Sequence, residues 1–303
     1  MDPLSRYEPL VDDPDAFRAA CGRSLPSVVR VNGIKATPER VERAFKKAGV
    51  GFDRVGWHEG LFRLEDGESP GNSWPFVHGW VYGQEEVSAL PALALDPRPG
   101  ERVFDCCAAP GSKTTQVAAL MDDRGALVGN DNDLGRISAL RSNAERCGVS
   151  NLVVTRQDAR NVSLKPFSGR RFDRALVDVP CSCEGTVRKN PGAIESWSLD
   201  HVEGIAGVQK SILGRAIEVT RRGGTVVYST CTFAPEENEA VLQHAIETRE
   251  CRLVGFDLPV DSAAGVTEWN GETFDGSMRL AKRIYPHLND TGGFFCAKLE
   301  VTG

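Results

Sequence analysis

The chain has 303 residues, 41% hydrophobic and 26% charged, with a formal net charge of −6. That length exceeds one small domain, the apolar share suits an ordinary globular core, and no apolar run of about 18 residues is present to span a membrane. A negative balance argues mildly against a nucleic-acid partner, but the cations are mostly arginine, 27 against 9 lysines, and arginine is the better bidentate phosphate ligand.

The N-terminus, Met1 to Ser5, lacks the basic start and apolar stretch of a secretory leader, so a cytoplasmic protein is expected. The 9 cysteines contain no Cys-x-x-Cys pair. Neither a zinc ribbon nor any other metal site is therefore expected. Cys21, Cys147, Cys251 and Cys296 are read as small buried hydrophobes. Acidic, lysine-poor composition also occurs in proteins adapted to high salt.

In chain order, a strand is expected at Ser27 to Val31. A helix follows, capped by Thr37 with Pro38 at its first position. Residues 66–72 read as a loop. We divide the chain near residue 85, into a small N-terminal α+β domain (1–84) and a larger unit (85–303). The larger unit alternates strands with helices. Strands are expected at Arg102 to Cys106, Ala126 to Asn130, Leu152 to Thr155, Phe172 to Asp178, Thr225 to Ser229 and Phe294 to Leu299. Helices are expected at Asp133 to Cys147 and Asp200 to Arg222. Apolar strands alternating with helices imply a Rossmann-like α/β fold, a mostly parallel, doubly wound sheet. Such sheets bind ligands beyond the carboxyl ends of their strands.

Three motifs fall at such ends. Asp105-Cys106-Cys107-Ala108-Ala109-Pro110-Gly111-Ser112-Lys113 is a small-residue loop before a helix, able to bring backbone close to a ligand. It lacks both the Gly-x-Gly-x-x-Gly of a nicotinamide site and the first glycine of a phosphate loop, since Cys107 stands there. Asp131 ends the next strand, where an acid suits a ribose diol. Asp158 follows the third strand and suits an adenine amino group. Together the two point to an adenosyl cofactor such as S-adenosylmethionine. The other motifs, Asp178-Val179-Pro180-Cys181-Ser182 and Ser229-Thr230-Cys231-Thr232, each carry a cysteine, the strongest nucleophile available at neutral pH.

These blocks resemble the NOL1/NOP2/Sun family of RNA cytosine-C5 methyltransferases, and in particular its compact archaeal transfer-RNA members. The resemblance also takes in Arg30 to Lys35, Gly79 to Glu86, Cys183 to Pro191, Met278-Arg279, Pro286-His287 and Gly292 to Phe295. It implies a class I methyltransferase fold with a seven-stranded sheet and S-adenosylmethionine as cofactor. By motif position, Cys107, Ala108, Ala109, Pro110, Gly111, Ser112, Lys113, Asp131, Arg136, Asp158 and Asp178 would contact that cofactor. Cys231 would be the nucleophile, and Cys181 would aid product release.

The chemistry fits those residue types. Carbon 5 of cytosine is a poor nucleophile until a thiolate adds at carbon 6, the part expected of Cys231. Asp178 is placed to hydrogen-bond ring N3, and Cys181 to help remove the carbon-5 proton. Lys113 offers a cation to support the thiolate. Arg188, Lys189 and Asn190 are expected to hold RNA phosphates, with Arg30 and Lys35, and also Lys46 and Lys47, extending that surface. A monomer acting on RNA is expected, transfer RNA before ribosomal RNA because no added RNA-binding extension is evident. Rival readings are a DNA cytosine methyltransferase, in which the Pro-Cys cysteine attacks and Cys231 has no role, a catalytically silent RNA-binding factor, and a nucleotide-dependent oxidoreductase.

Overall fold

The structure, a computed structural model, describes residues 2–303; Met1, the first residue of the N-terminal stretch read above, lies outside them. Four strands form a small antiparallel sheet: β1 (Val28–Val31), β2 (Phe52–Arg54), β3 (Leu61–Leu64) and β4 (Val81–Gly83), in the order β2-β3-β1-β4. The helix Pro38–Ala48 packs on it. Thr37 caps that helix and Gly49 closes it at φ 70°, the expected start and stop chemistry.

The main sheet is built from β5 (Arg102–Asp105), β6 (Ala126–Asp131), β7 (Leu152–Arg156), β8 (Phe172–Asp178) and β9 (Thr220–Thr230). These run parallel in the order β9-β8-β5-β6-β7. Later strands add an antiparallel flank: β10 (Cys251–Leu253), β11 (Ala263–Ala264), β14 (Lys282–Ile284) and β15 (Phe294–Val301), with β15 against β9. A separate hairpin pairs β12 (Glu268–Trp269) with β13 (Glu272–Thr273). The main sheet thus has nine strands rather than the seven implied above, because the short β10 and β11 extend its antiparallel side.

Alternation along the strands loads both faces. Phe104, Val128, Ala175, Val177, Val226 and Tyr228 face the helices Leu199–Val219 and Glu239–Thr248. Val103, Leu127, Leu176 and Val227 face the helices Leu90–Leu95 and Ser112–Leu120. Each buried valine, leucine or phenylalanine among them contributes roughly 1.5–3 kcal/mol of transfer free energy. No helix of the described residues is long and apolar enough to cross a membrane.

Most element ends fall within a residue or two of expectation, and two boundaries depart further. The helix expected to reach Arg222 ends at Val219, and β9 begins at Thr220. Thr220 is already extended, yet its N–H still closes the last helical turn, so helix passes into strand without a loop. The division near residue 85 falls just after β4, but the first twenty residues do not join the small sheet. Leu4, Tyr7, Phe17 and Cys21 pack with Val187, Phe233 and Tyr285 of the larger unit.

Candidate functional site

All the motif residues meet at the carboxyl edge of the parallel strands, where chain directions diverge on either side of β5. The loop after β5 is shaped by buried contacts. Asp105 accepts from Thr114 Oγ1 at 2.7 Å, and Ala108 N–H donates to Asn130 O at 2.7 Å. Burial lifts the Asp105 carboxyl to about 7. Gly111 turns the chain at φ 107°, with Leu140 3.0 Å from where a Cβ would sit, so only glycine fits without displacement.

A cavity of about 260 Å³ opens beside this loop. Cys107, Ala109, Asp131, Arg136, Asp158 and Asp178 line it, as expected of cofactor residues. Asp131 accepts from Ala109 N–H at 3.3 Å and pairs with Arg136 at 3.6 Å. Asp158 pairs with Arg160 at 2.6 Å, and the bonds from Arg160 hold its carboxyl below the ordinary range. Pro180, Val208 and Ile212 form an apolar wall. Two carboxylates on successive strand ends opposite an apolar wall fit an adenosyl group. Asn132, Arg160 and the wall residues were not legible as site residues.

Four residues of the loop are placed differently from expectation. Ala108, Pro110, Gly111 and Ser112 do not line this cavity; they build the turn behind it, with Pro110 O accepting from Asn143 and Tyr82. Lys113 also leaves this cavity. Its side chain enters a second one of about 190 Å³, together with Glu85, Ser88, Lys189, Cys231 and Phe294. Asp178 and Val179 line both cavities and form the wall between them.

In the second cavity Lys113 Nζ lies 2.9 Å from Asp178 Oδ2 and 2.9 Å from Ser88 Oγ. Ser229 Oγ donates to Asp178 Oδ1 at 2.7 Å, because β8 and β9 place the two residues in register. Burial opposes the charge on Lys113, but the Asp178 carboxylate outweighs it and holds the ammonium above its ordinary value. Glu85 is half-buried at the rim, accepts from Gly292 N–H at 3.0 Å, and is raised by desolvation. Glu85, Ser88 and Ser229 carried no sequence signal of their own.

The two motif cysteines come together. Cys181 Sγ is 3.2 Å from Cys231 Sγ, and Cys183 Sγ is 3.7 Å from Cys181 Sγ. None of the described cysteines is in a disulfide. Hydrogen bonds to Cys183 and Cys231, then burial, push Cys181 well above the usual thiol range. For Cys231 the bond from Cys181 pulls downward, but Cys183, burial and the Asp178 charge prevail and raise it. Bonds from its two neighbours lower Cys183. Three thiols this close titrate as one coupled set rather than as three independent groups.

Buried polar contacts hold this geometry. Ser182 Oγ bonds Glu184 at 2.6 Å, and Ser182 N–H bonds Glu237 at 3.1 Å. Gln209 ties Glu237 to Pro180 O. Gly185 N–H donates to Cys231 O at 2.9 Å; a Cβ there would lie 2.8 Å from that same oxygen. The Pro-Cys turn can rest on the Cys231 backbone only because residue 185 is glycine.

The expected RNA-binding arginines are corrected. Arg30 is 3% exposed, bonded to Gln84 at 2.6 Å and to Thr115 at 3.0 Å. Arg188 is 5% exposed and ties together Arg23 O, Ser24 O, Thr291 O and Asp290. Both are struts, unable to reach a phosphate. Lys35 is half-buried and spends its ammonium on Arg146 O and His78 O. Lys189 and Asn190 are exposed, and Lys189 lies at the mouth of the second cavity.

Comparison with known proteins bears on this edge. The family described as 16S rRNA methyltransferase RsmB/F matches residues 92–300. Ribosomal RNA small subunit methyltransferase F of Vibrio cholerae is 38% identical over 302 residues, covering 94% of this chain and 59% of that protein. The protein of the same name from Aeromonas salmonicida is 37% identical, covering 94% and 60%. The chain thus spans about three fifths of the length of these curated relatives. A methyltransferase homologue from Pyrococcus horikoshii has a solved structure at TM-score 0.85 and 32% identity, covering 98% of this chain and 93% of that one. NSun6 from the same organism, solved with SFG, shares the fold at TM-score 0.85 and 22% identity, covering 100% and 98%. The fold is that of the class I methyltransferases.

Proposed function

The chain belongs to the RsmB/F family, and on that premise we propose that it is an S-adenosylmethionine-dependent RNA cytosine-C5 methyltransferase whose substrate is small-subunit ribosomal RNA. The reading rests on one observation: two cavities share the Asp178 wall, one lined by adenosyl-type carboxylates and the other by Cys231 and Lys113. When bound, S-adenosylmethionine would supply an electrophilic methyl group.

The residues do the rest. A cytosine turned out of its stack enters the second cavity. Cys231 Sγ, its proton passed to a neighbouring sulfur or to solvent, bonds to ring carbon 6. Negative charge then grows toward N3 and O2, and the Lys113 ammonium offsets it. Asp178 has each oxygen already accepting a donor. Its part is to aim Lys113 and to receive the exocyclic amino group, rather than to donate a proton to N3. Once carbon 5 carries the methyl, its proton must leave so that the Cys231–carbon 6 bond breaks. Cys181, with its sulfur 3.2 Å from Cys231, is placed to take or relay that proton. Lys189 at the cavity mouth, with exposed Asn190 next to it in the chain, holds the strand.

Ribosomal RNA is preferred over the transfer RNA expected from compactness because the named relatives carry that substrate in their names. The setting proposed is the cytoplasm, with the chain acting as a monomer. The test is transfer of labelled methyl to unmodified small-subunit ribosomal RNA and to transfer RNA by wild type, Cys231→Ala and Cys181→Ala. Wild type is expected to label ribosomal RNA, Cys231→Ala nothing, and Cys181→Ala to accumulate a protein–RNA adduct. Labelling of transfer RNA alone reverses the substrate reading. An adduct on Cys181 in Cys231→Ala overturns the roles and restores the DNA-enzyme logic.

A further inference from the structure

Cys183 has no part in the reaction derived above, yet it completes a cluster. Its sulfur, with those of Cys181 and Cys231, forms a set whose members all lie within 4.8 Å of one another. Its backbone sits at φ 67°, a left-handed conformation that a residue with a Cβ adopts at a cost. The turn that imposes it is fixed by Thr186 N–H and Oγ1, both donating to Cys183 O, and by Gly185 against Cys231. The result is three sulfurs within 4.8 Å of one another.

We propose that this cluster is a binding site for a soft divalent metal, zinc or cadmium, that sequesters the nucleophile. Zinc–sulfur bonds of about 2.3 Å at tetrahedral angles place sulfurs roughly 3.8 Å apart. The observed separations of 3.2 and 3.7 Å need adjustment of about half an ångström or less at these two pairs. No carboxylate or imidazole belongs to the set, so hard cations such as magnesium and calcium are disfavoured and soft ones favoured.

Binding is a proton exchange: each sulfur that is still a thiol releases its proton to solvent as its metal bond forms. Three thiolates on a divalent ion leave one negative charge, and Lys113 and Lys189 line the adjoining cavity to offset it. Three protein ligands would leave a fourth coordination position to water. Cys231 Sγ, held by the metal, is withdrawn from carbon 6 of a base. The Cys-x-Cys spacing of residues 181 and 183 gave no hint of this, because its third member arrives from another strand.

The test uses reduced, metal-free protein without RNA or cofactor, so its outcome is independent of the methyl-transfer reading. Cadmium is added while the thiolate-to-metal charge-transfer band is followed, and zinc is measured in competition with a chromophoric chelator. One ion per chain is expected, with band intensity for three thiolates. Cys183→Ser should weaken binding by more than the ~10–100-fold that loss of an outer-shell partner costs. Cys183→Gly, which suits φ 67° and therefore folds, should do the same, while Cys251→Ser, outside the cluster, should leave binding unchanged. Bound zinc should protect Cys231 from alkylation, and a chelator should restore it. Absence of the one-per-chain band overturns the proposal. So does a band of unchanged intensity in both Cys183 variants, or undiminished alkylation of Cys231 in the zinc-loaded protein.

Discussion

Lys113 and Asp178 form an ion pair of 2.9 Å in the second cavity, at its wall with the first, and the carboxylate's other oxygen is held by Ser229. Neither partner is free to drift, so the ammonium is pre-aimed where charge develops on the base. Replacing Lys113 by Met keeps the bulk of the stem and removes the charge. We expect methyl transfer to fall by roughly 10²-fold or more, with cofactor affinity changed only a few-fold because Lys113 lies outside the adenosyl cavity. Single-turnover rates and calorimetric cofactor binding check this. A comparable loss in cofactor affinity would return Lys113 to the cofactor site.

Arg30 and Lys189 should separate structure from RNA binding. Burial lowers the Arg30 pKa to about 10, and its partners are neutral groups, chiefly Gln84 and Thr115. Arg30→Met leaves buried acceptors unpaired and should cost about 2–4 kcal/mol of stability, without changing the RNA affinity of the folded protein. Lys189→Ala should leave the melting temperature unchanged and weaken RNA binding, reducing the salt dependence by about one phosphate contact. Denaturant unfolding and salt-series binding on the same two variants decide the matter.

These two residues also show what the sequence could and could not disclose. Strand positions were legible wherever an apolar run sat between turn signals, as in Phe172–Asp178, whose ends match expectation. The cysteine pair was legible because each cysteine closely follows a strand end, Asp178 or Thr230, and parallel strands align their carboxyl ends. Arginine fates were not. Whether a guanidinium meets a phosphate or a buried carbonyl depends on partners distant in sequence, such as Thr291 and Asp290 for Arg188. The Cys183 geometry was hidden for the same reason, since its partner Cys231 belongs to another strand.

The first helical segments belong energetically to the site. Tyr7 OH donates to Glu184 Oε1 at 2.6 Å, and Trp197 Nε1 reaches the same oxygen at 2.6 Å. Glu184 is fully buried, and it holds Ser182 of the Pro-Cys turn. Tyr7→Phe removes one donor to a buried carboxylate, worth about 1–3 kcal/mol. The expected result is a lower melting temperature together with a reduced methyl-transfer rate and intact cofactor affinity. An unaltered rate in a protein destabilised by that amount would mean that Glu184 holds the turn without Tyr7.

Glu237 gives the fold a pH dependence. It is buried beneath the Pro-Cys turn, and desolvation raises its carboxyl from 4.5 to about 7 against the pull of Ser182 and Gln209. The folded protein therefore keeps a proton there that the unfolded chain surrenders. That stabilisation is fully present below the unfolded value of 4.5, declines as pH rises toward 7, and is gone above it. Its ceiling is on the order of 3 kcal/mol. Asp105, also lifted to about 7 by burial, contributes in the same direction and in much the same window. Glu237→Gln keeps the shape and an amide that both donates and accepts, but cannot titrate. Urea unfolding across about pH 5 to pH 8 should show stability falling with pH in wild type and falling less steeply in the variant, with Asp105 supplying the remaining slope. Identical slopes in the two proteins would mean that Glu237 is already ionised throughout that range, and that Ser182 and Gln209 offset its burial in full.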